Sequence, residues 1–352
     1  MDNEEIMSDN DRLPAVDDIV LSARNKAYKL ISVIGEGGYG SVFLARCEND
    51  ETSVALKAEK FSKTVLRIEI GVLRVANQRN CKHICKMYDY GHVKQEFMFI
   101  VMSLLGPDLN KLRNRQPNKH FTLQTSIRIA MQTLNAIEEL HQCGFLSRDI
   151  KPSNFAIGNK ANHQHHYIFI FDFGLARRYL NRNLEVLPSR GEMGWRGTTR
   201  YGSLNAHHRQ DLSRRDDLES WLYMMVELTK GSLPWRLTTD RLLVQKAKEE
   251  ARTTKKDEFF ENCPLQYEQI LQIIDKLQFD ETPPYATIYN ILNEIADENG
   301  TALTVGYDWN DSISSITTST SNAISLDHSP SNNHKEKNIG QDCLSRDDLP
   351  VQ

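Results

Sequence analysis

The sequence is poorest in long apolar runs. The longest, Phe97 to Gly106, spans ten residues and contains Ser103. A membrane-crossing helix needs about 20 apolar residues, so a membrane span is not expected. The acidic N-terminus, Met1-Asp-Asn-Glu-Glu, has no apolar stretch of the kind a secretory signal requires, and Asp2 stands where N-myristoylation would need glycine. Charge of one sign is also lacking: the net charge is −4. That excludes indiscriminate nucleic-acid binding, which depends on a strongly basic surface. The six cysteines are scattered, and the pair Cys81 and Cys85 around His83 has no second ligand pair at metal-knuckle spacing. Reduced thiols in the cytoplasm or nucleus are expected.

With 39% hydrophobic and 26% charged residues, a folded body is expected, and 352 residues suit two lobes better than one core. Residues 1–24 are polar and aperiodic and read as a disordered arm. Residues 311–352, rich in Ser and Thr, read as a disordered tail, passive or phosphorylated. Between them, Tyr28–Glu36, Gly40–Cys47, Thr52–Glu59 and Phe97–Met102 have strand character, and Phe61–Asn77 has helical spacing. Thr122–Cys143 places Ile127, Ala130, Met131, Leu134 and Ile137 on one helical face, with Thr122 as N-cap and Gly144 as stop. Asp217–Lys230 repeats that rhythm and ends at Gly231. A sheet-rich part thus precedes a helical part, with the junction near Ser103–Gly106.

Chemistry-bearing residues follow in order. Gly35-Glu-Gly-Gly-Tyr-Gly-Ser-Val42 has GxGxxGxV spacing. Its glycines Gly35, Gly37, Gly38 and Gly40, with Glu36 and Tyr39 between them, let backbone N–H groups approach phosphate oxygens. A dinucleotide-binding turn would open into a helix, but here a strand follows. No glycine is followed by the Lys-Ser or Lys-Thr of a Walker loop. Val54-Ala-Leu-Lys57 comes 17 residues after Gly40. Lys57 could reach phosphates if a carboxylate fixed its ammonium, and Glu69 on the next helix is the candidate. Leu146-Ser-Arg-Asp-Ile-Lys-Pro-Ser-Asn154 supplies a carboxylate for a hydroxyl (Asp149), a cation (Lys151) and an oxygen ligand (Asn154). Eighteen residues on, Phe171-Asp-Phe-Gly174 brings Asp172 as a second ligand for a hard Mg²⁺ ion.

Together these pieces are the signature set of protein kinases. The sequence resembles the casein kinase I group, including its tau-tubulin kinase branch. The resemblance rests on Leu104-Leu-Gly-Pro107, Asp149-Ile-Lys-Pro-Ser-Asn-Phe155, Gly197-Thr-Thr-Arg-Tyr201, Ser203-Leu-Asn-Ala-His207, Arg214-Arg-Asp-Asp-Leu-Glu-Ser220 and Gly231-Ser-Leu-Pro-Trp235.

It implies an α+β, bilobal fold over residues 25–310, with a small β-rich lobe to residue 105 and a helical lobe from 106. It implies ATP and Mg²⁺ as cofactors and transfer of the γ-phosphate to Ser or Thr of acidic or phospho-primed proteins. A monomer without nucleic-acid or membrane partners is expected, active without activation-segment phosphorylation. Val42, Ala55, Met102 and Leu105 would line the adenine side, Arg200 would form the substrate's anion pocket, and Asp217 would brace the catalytic loop. Two departures stand out: Ser147 replaces the usual His before Arg-Asp, and Thr239 replaces a lysine of the group. They keep open an alternative reading, a pseudokinase scaffold. The His163–His166 stretch reads as an exposed turn or as imidazole ligands.

Overall fold

The computed structural model describes residues 12–38, 40–93, 95–301 and 306–310. The tail expected over 311–352 and the candidate Tyr39 lie outside the described residues. The chain divides into two compact units. The first comprises the described residues through Leu105 together with Asp172–Gly174, and the second runs over Gly106–Phe171 and from Leu175 onward.

The first unit is built on one antiparallel sheet. Its strands are β1 (Ile19–Leu21), β2 (Ala27–Glu36), β3 (Gly40–Cys47), β4 (Ser53–Lys60), β5 (Met87–Val93) and β6 (Phe97–Met102), in the order β1-β2-β3-β4-β6-β5. Alternation sends Tyr28, Leu30, Phe43, Ala45, Leu56, Ala58, Phe99 and Val101 into one core. Lys57 and Ala55, one position out of step with Leu56, belong to the other face. Helix α1 (Leu66–Gln78) buries Leu66, Ile70 and Leu73 at helical spacing. The helix expected from Phe61 starts later, because Phe61–Lys63 forms a separate 3₁₀ turn.

Part of the arm expected over residues 1–24 is built into the sheet. Ile19–Leu21 pairs with β2, Val20 enters the core, and Ser22 donates to Asp89 Oδ2 at 2.7 Å. A three-residue strand is too short to show periodicity, and its bonds come from elsewhere in the chain.

The second unit is helical. Its helices are α2 (Leu109–Arg115), α3 (Leu123–Gln142), α4 (Leu204–His207), α5 (Arg214–Lys230), α6 (Arg241–Glu250), α7 (Lys256–Phe260), α8 (Gln266–Lys276) and α9 (Tyr285–Glu298). Two short antiparallel pairs accompany them: β7 (Phe145–Leu146) with β10 (Arg177–Arg178), and β8 (Phe155–Ile157) with β9 (Ile168–Ile170). Thr122 caps α3 through the Thr125 N–H. Past α3, Gly144 has φ +85°, a left-handed geometry that favours glycine. Gly231 ends α5 in the same way, at φ +98°. Helix α5 is buried along nearly its whole length, and Trp221 Nε1 donates to Thr133 Oγ1 of α3 at 2.9 Å.

A late segment closes the start of α3. Asp308 accepts from Thr122 N at 2.7 Å and from the Thr122 and Thr125 hydroxyls at 2.8 and 2.7 Å. Trp309 packs edge-on to Phe121. Asp308→Ala should therefore cost about 1–2 kcal/mol of stability, read as a lower urea midpoint with an unchanged m-value.

Candidate active site

Within the first unit, sheet register brings the predicted phosphate-side residues together. Gly35 pairs with Val42, Val42 with Lys57, and Ala55 with Met102. Gly40 is required by packing, since a Cβ there would lie 2.0 Å from the Ala58 carbonyl oxygen. Gly38 faces open space, and a Cβ at Gly37 would meet only the Gly40 carbonyl oxygen at 3.9 Å, so no crowding accounts for either. Such room suits close approach of a ligand to the backbone. Glu36 ends β2, and Leu105 is the half-buried last residue before the second unit.

Lys57 Nζ donates to Glu69 Oε2 at 2.7 Å and to Asp172 Oδ1 at 3.1 Å, with Glu59 at 3.7 Å. Burial opposes the ammonium, but Glu69, Asp172 and Glu59 outweigh it, and its pKa lies above the ordinary lysine value. Glu69 is fully buried on α1. The pairing expected from sequence is thus formed, and the carboxylate of Asp172 joins it.

Within the second unit, a buried carboxylate builds the loop that carries Asp149. Asp217 Oδ2 accepts the Ser147 N–H and Oδ1 the Arg148 N–H, both at 2.8 Å. His141 Nε2 lies 2.9 Å from Asp217 Oδ2, and its Nδ1 lies 2.6 Å from the Tyr285 hydroxyl. Arg148 takes φ +63°, so the loop turns sharply just before Asp149. Lys151 Nζ meets Asp149 Oδ2 at 2.6 Å, and Thr198 Oγ1 donates to Asp149 Oδ1 at 2.7 Å. Ser147 Oγ accepts the Asp149 N–H at 3.4 Å, so the serine is used inside the loop.

Asn154 Nδ2 donates to the Asp149 carbonyl at 2.8 Å, which leaves its own carbonyl oxygen as the group for a cation. In the first unit, Asp172 carries a half-exposed carboxylate. The Asn154 amide oxygen and the Asp172 carboxylate are each oxygen donors of the kind that Mg²⁺ takes. Among the described residues no group of three His, Cys, Asp or Glu side chains could hold a metal by itself. His165 and His166 pack edge to face in the β8–β9 connection.

The arginines after Asp172 are less available than their number suggests. Arg177 and Arg190 both pair with Asp211, at 2.5 and 2.9 Å. Arg178 covers the Phe145 ring, and Arg148 Nε donates to the Leu175 carbonyl at 2.8 Å. Burial and the charges of Arg177 and Arg190 bring the Arg148 pKa down to about 10. Arg200, one third exposed, reaches Glu227 at 3.4 Å and the Arg236 carbonyl at 3.2 Å. Ser203 and Asn205 both donate to Asp216 Oδ1, at 2.7 and 2.9 Å, anchoring that motif to α5.

Sequence reasoning missed Thr198, His141 and Glu59 as participants. Thr198 lies inside the quoted Gly197–Tyr201 motif, but nothing local shows that its hydroxyl meets Asp149. His141 reads as one more residue of the α3 face.

A two-unit molecule with a β-rich first part, a helical second part and these acid and lysine clusters has the bilobal protein-kinase fold. The protein kinase domain model matches residues 28–294, and the chain belongs to the protein kinase family. Its relatives include casein kinase I homologs and set it in that group of Ser/Thr kinases. The serine/threonine-protein kinase spe-6 of Caenorhabditis elegans is 32% identical, over 80% of this chain and 75% of that protein. A probable serine/threonine-protein kinase of Dictyostelium discoideum is 33% identical, over 80% and 56%. The casein kinase I homolog RAG8 of Kluyveromyces lactis is 32% identical, over 80% and 53%. The chain therefore spans little more than half the length of the last two.

The Asp211 pairings have a pH signature. Burial disfavours its charge, but hydrogen bonds from Arg190 and Arg177 outweigh that and hold its carboxyl below the usual range. A depressed native pKa gives stability that is present above the unfolded value of about 4 and is lost as pH falls through the native value. Asp211→Asn should cost roughly 2 kcal/mol at pH 7, and the gap to wild type should narrow in urea titrations as pH drops below about 4.

Proposed function

We propose that this chain transfers the γ-phosphate of ATP to serine and threonine hydroxyls of acidic or phospho-primed proteins. The observation that supports this best is the Asp149 cluster. Its carboxylate is held by the side chains of Lys151, Thr198 and Asn154, as a group that orients a hydroxyl must be. Asp149 takes the hydroxyl proton as the oxygen attacks phosphorus. Lys151 offsets charge on the transferred group. Lys57, kept cationic by Glu69, steadies the other phosphates. Asn154 and Asp172 would hold Mg²⁺, which would offset phosphate charge when bound.

Preference for acidic or primed substrates is supported by the partly exposed guanidinium of Arg200. Placement in the tau-tubulin-like branch belongs to the same proposal and rests on the motifs already quoted. Activity without activation-segment phosphorylation is supported by Asp211. It already compensates Arg177 and Arg190 beside Arg148, a place where a phosphate would otherwise be needed. The pseudokinase alternative started from Ser147 and Thr239. Ser147 leaves the loop hydrogen-bonded to Asp217, and no catalytic position is lost, so the enzyme reading is preferred.

The assay is phosphate incorporation into casein with Mg-ATP. Wild type should exceed Asp149→Asn by at least about 100-fold, and equal incorporation would sink the enzyme reading. Phosphatase treatment of the purified protein should leave wild-type activity within about twofold, and a large drop would rule out activity without activation-segment phosphorylation.

A further inference from the structure

Lys248 has no part in the chemistry described so far, yet it is among the largest fully buried side chains of the protein. It lies on α6 one turn after Val244, and these two are the buried residues of that helix. Such a stripe normally holds apolar side chains. Here it holds an amine with three acceptors. Nζ donates to the Thr199 carbonyl at 2.9 Å and the Gly202 carbonyl at 2.5 Å, and His207 Nε2 lies at 3.1 Å. The rings of Tyr223 and Trp235 face the same nitrogen at 5.0 and 5.5 Å.

The neighbouring charges do not cancel this ammonium. Glu219 favours it, but that carboxylate is already paired with Arg252 at 3.0 Å. Burial brings the Lys248 pKa down to about 7. His207 stays neutral, because burial and Lys248 lower its pKa to about 3, and its ring also bonds the Arg241 backbone. Its Nε2 can then accept from Lys248. A protonated amine has three N–H groups for the three acceptors.

What the amine holds is the turn that carries Thr198 and Arg200. Other donors grip three more carbonyls of the same segment. Trp195 Nε1 takes Gly197 O at 2.9 Å, the Tyr201 and Gly202 N–H groups take Thr198 O at 3.0 and 2.9 Å, and Trp235 Nε1 takes Arg200 O at 2.8 Å. Lys248 supplies the donors for Thr199 and Gly202. Thr198 Oγ1 in turn donates to Asp149 and lies 3.3 Å from Lys151 Nζ.

We propose that Lys248 is a positioning residue for phosphoryl transfer: by gripping the Thr199 and Gly202 carbonyls it sets Thr198 against Asp149 and Lys151, and Arg200 toward the acidic substrate. This rests on the kinase reading above. It acts through the turn, touches no reacting atom, and links α6 to the catalytic loop.

Lys248→Met separates this role from plain support of the fold. Methionine fills similar space, and removing the buried charge offsets the loss of a donor to the three acceptors, so the variant should stay folded with a melting temperature close to wild type. Its kcat on casein should nevertheless fall about tenfold through misplacement of Thr198. The KM for ATP should not move, because Lys57 and Glu69 belong to the first unit. Hydrogen exchange at the Tyr201 and Gly202 amides should quicken. Lys248→Gln, which keeps two N–H donors, should recover part of the kcat.

A folded Lys248→Met with wild-type kcat would overturn the proposal. So would unfolding of both variants, or parallel loss of stability and activity, since each would make Lys248 a framework residue. An inactive wild type would instead defeat the kinase reading, while the amide exchange would still report whether Lys248 holds the turn.

Discussion

A single buried carboxylate, Asp217, is the constraint on which the catalytic loop depends. Its two oxygens take two successive backbone N–H groups and the ring of His141. The loop needs that grip because Arg148 sits at φ +63°, a conformation costly for a residue with a Cβ unless its surroundings impose it. Asp149, Lys151 and Asn154 follow within six residues, so their placement inherits whatever Asp217 enforces. His141 is itself tied to the Tyr285 hydroxyl, which extends the constraint to α9.

Asp217 is one of several acids on α5, and each holds a different piece of the second unit. Asp216 holds Ser203 and Asn205. Glu219 takes the Leu204 N–H, the Tyr223 hydroxyl and Arg252. Glu227 takes Tyr201, Arg200 and Arg113. Burying acids is expensive; burial pushes the Asp216 pKa up to about 6. The arrangement holds because each acid meets a fixed donor. It also accounts for α5 being buried on nearly all sides while carrying charged residues. Lys248 is the counterpart from α6, an amine facing the same turn that Glu227 holds from α5.

Much of the site was readable in the sequence because its parts are short and closely spaced. Gly35 to Gly40 is a loop between two strands, Lys57 falls on the next strand, and Asp149 to Asn154 is one loop. The strands Gly40–Cys47 and Phe97–Met102 have the predicted bounds for the same reason, since alternation is a local property. The arginines after Asp172 are written in the sequence, but their pairing is not. Asp211 lies 34 residues from Arg177 and 21 from Arg190, and no spacing rule connects them. The strand at Ile19–Leu21 was invisible because three residues show no period, and its partner alone makes it a strand.

The sequence by itself determined the family, the order of the two units, and the identity of the acid, lysine and amide groups, because these are written in contiguous motifs whose chemistry follows from residue type. Tertiary structure decided which of those groups meet. Thr198 joins Asp149 across 49 residues, Asp217 joins Ser147 across 70, and Lys248 joins Thr199 across 49. Such contacts arise when helices pack and bring distant backbone segments within about 3 Å of a side chain. Residue order along the chain does not encode them, and that is why Lys248, an ordinary lysine in the sequence, became visible only in the fold.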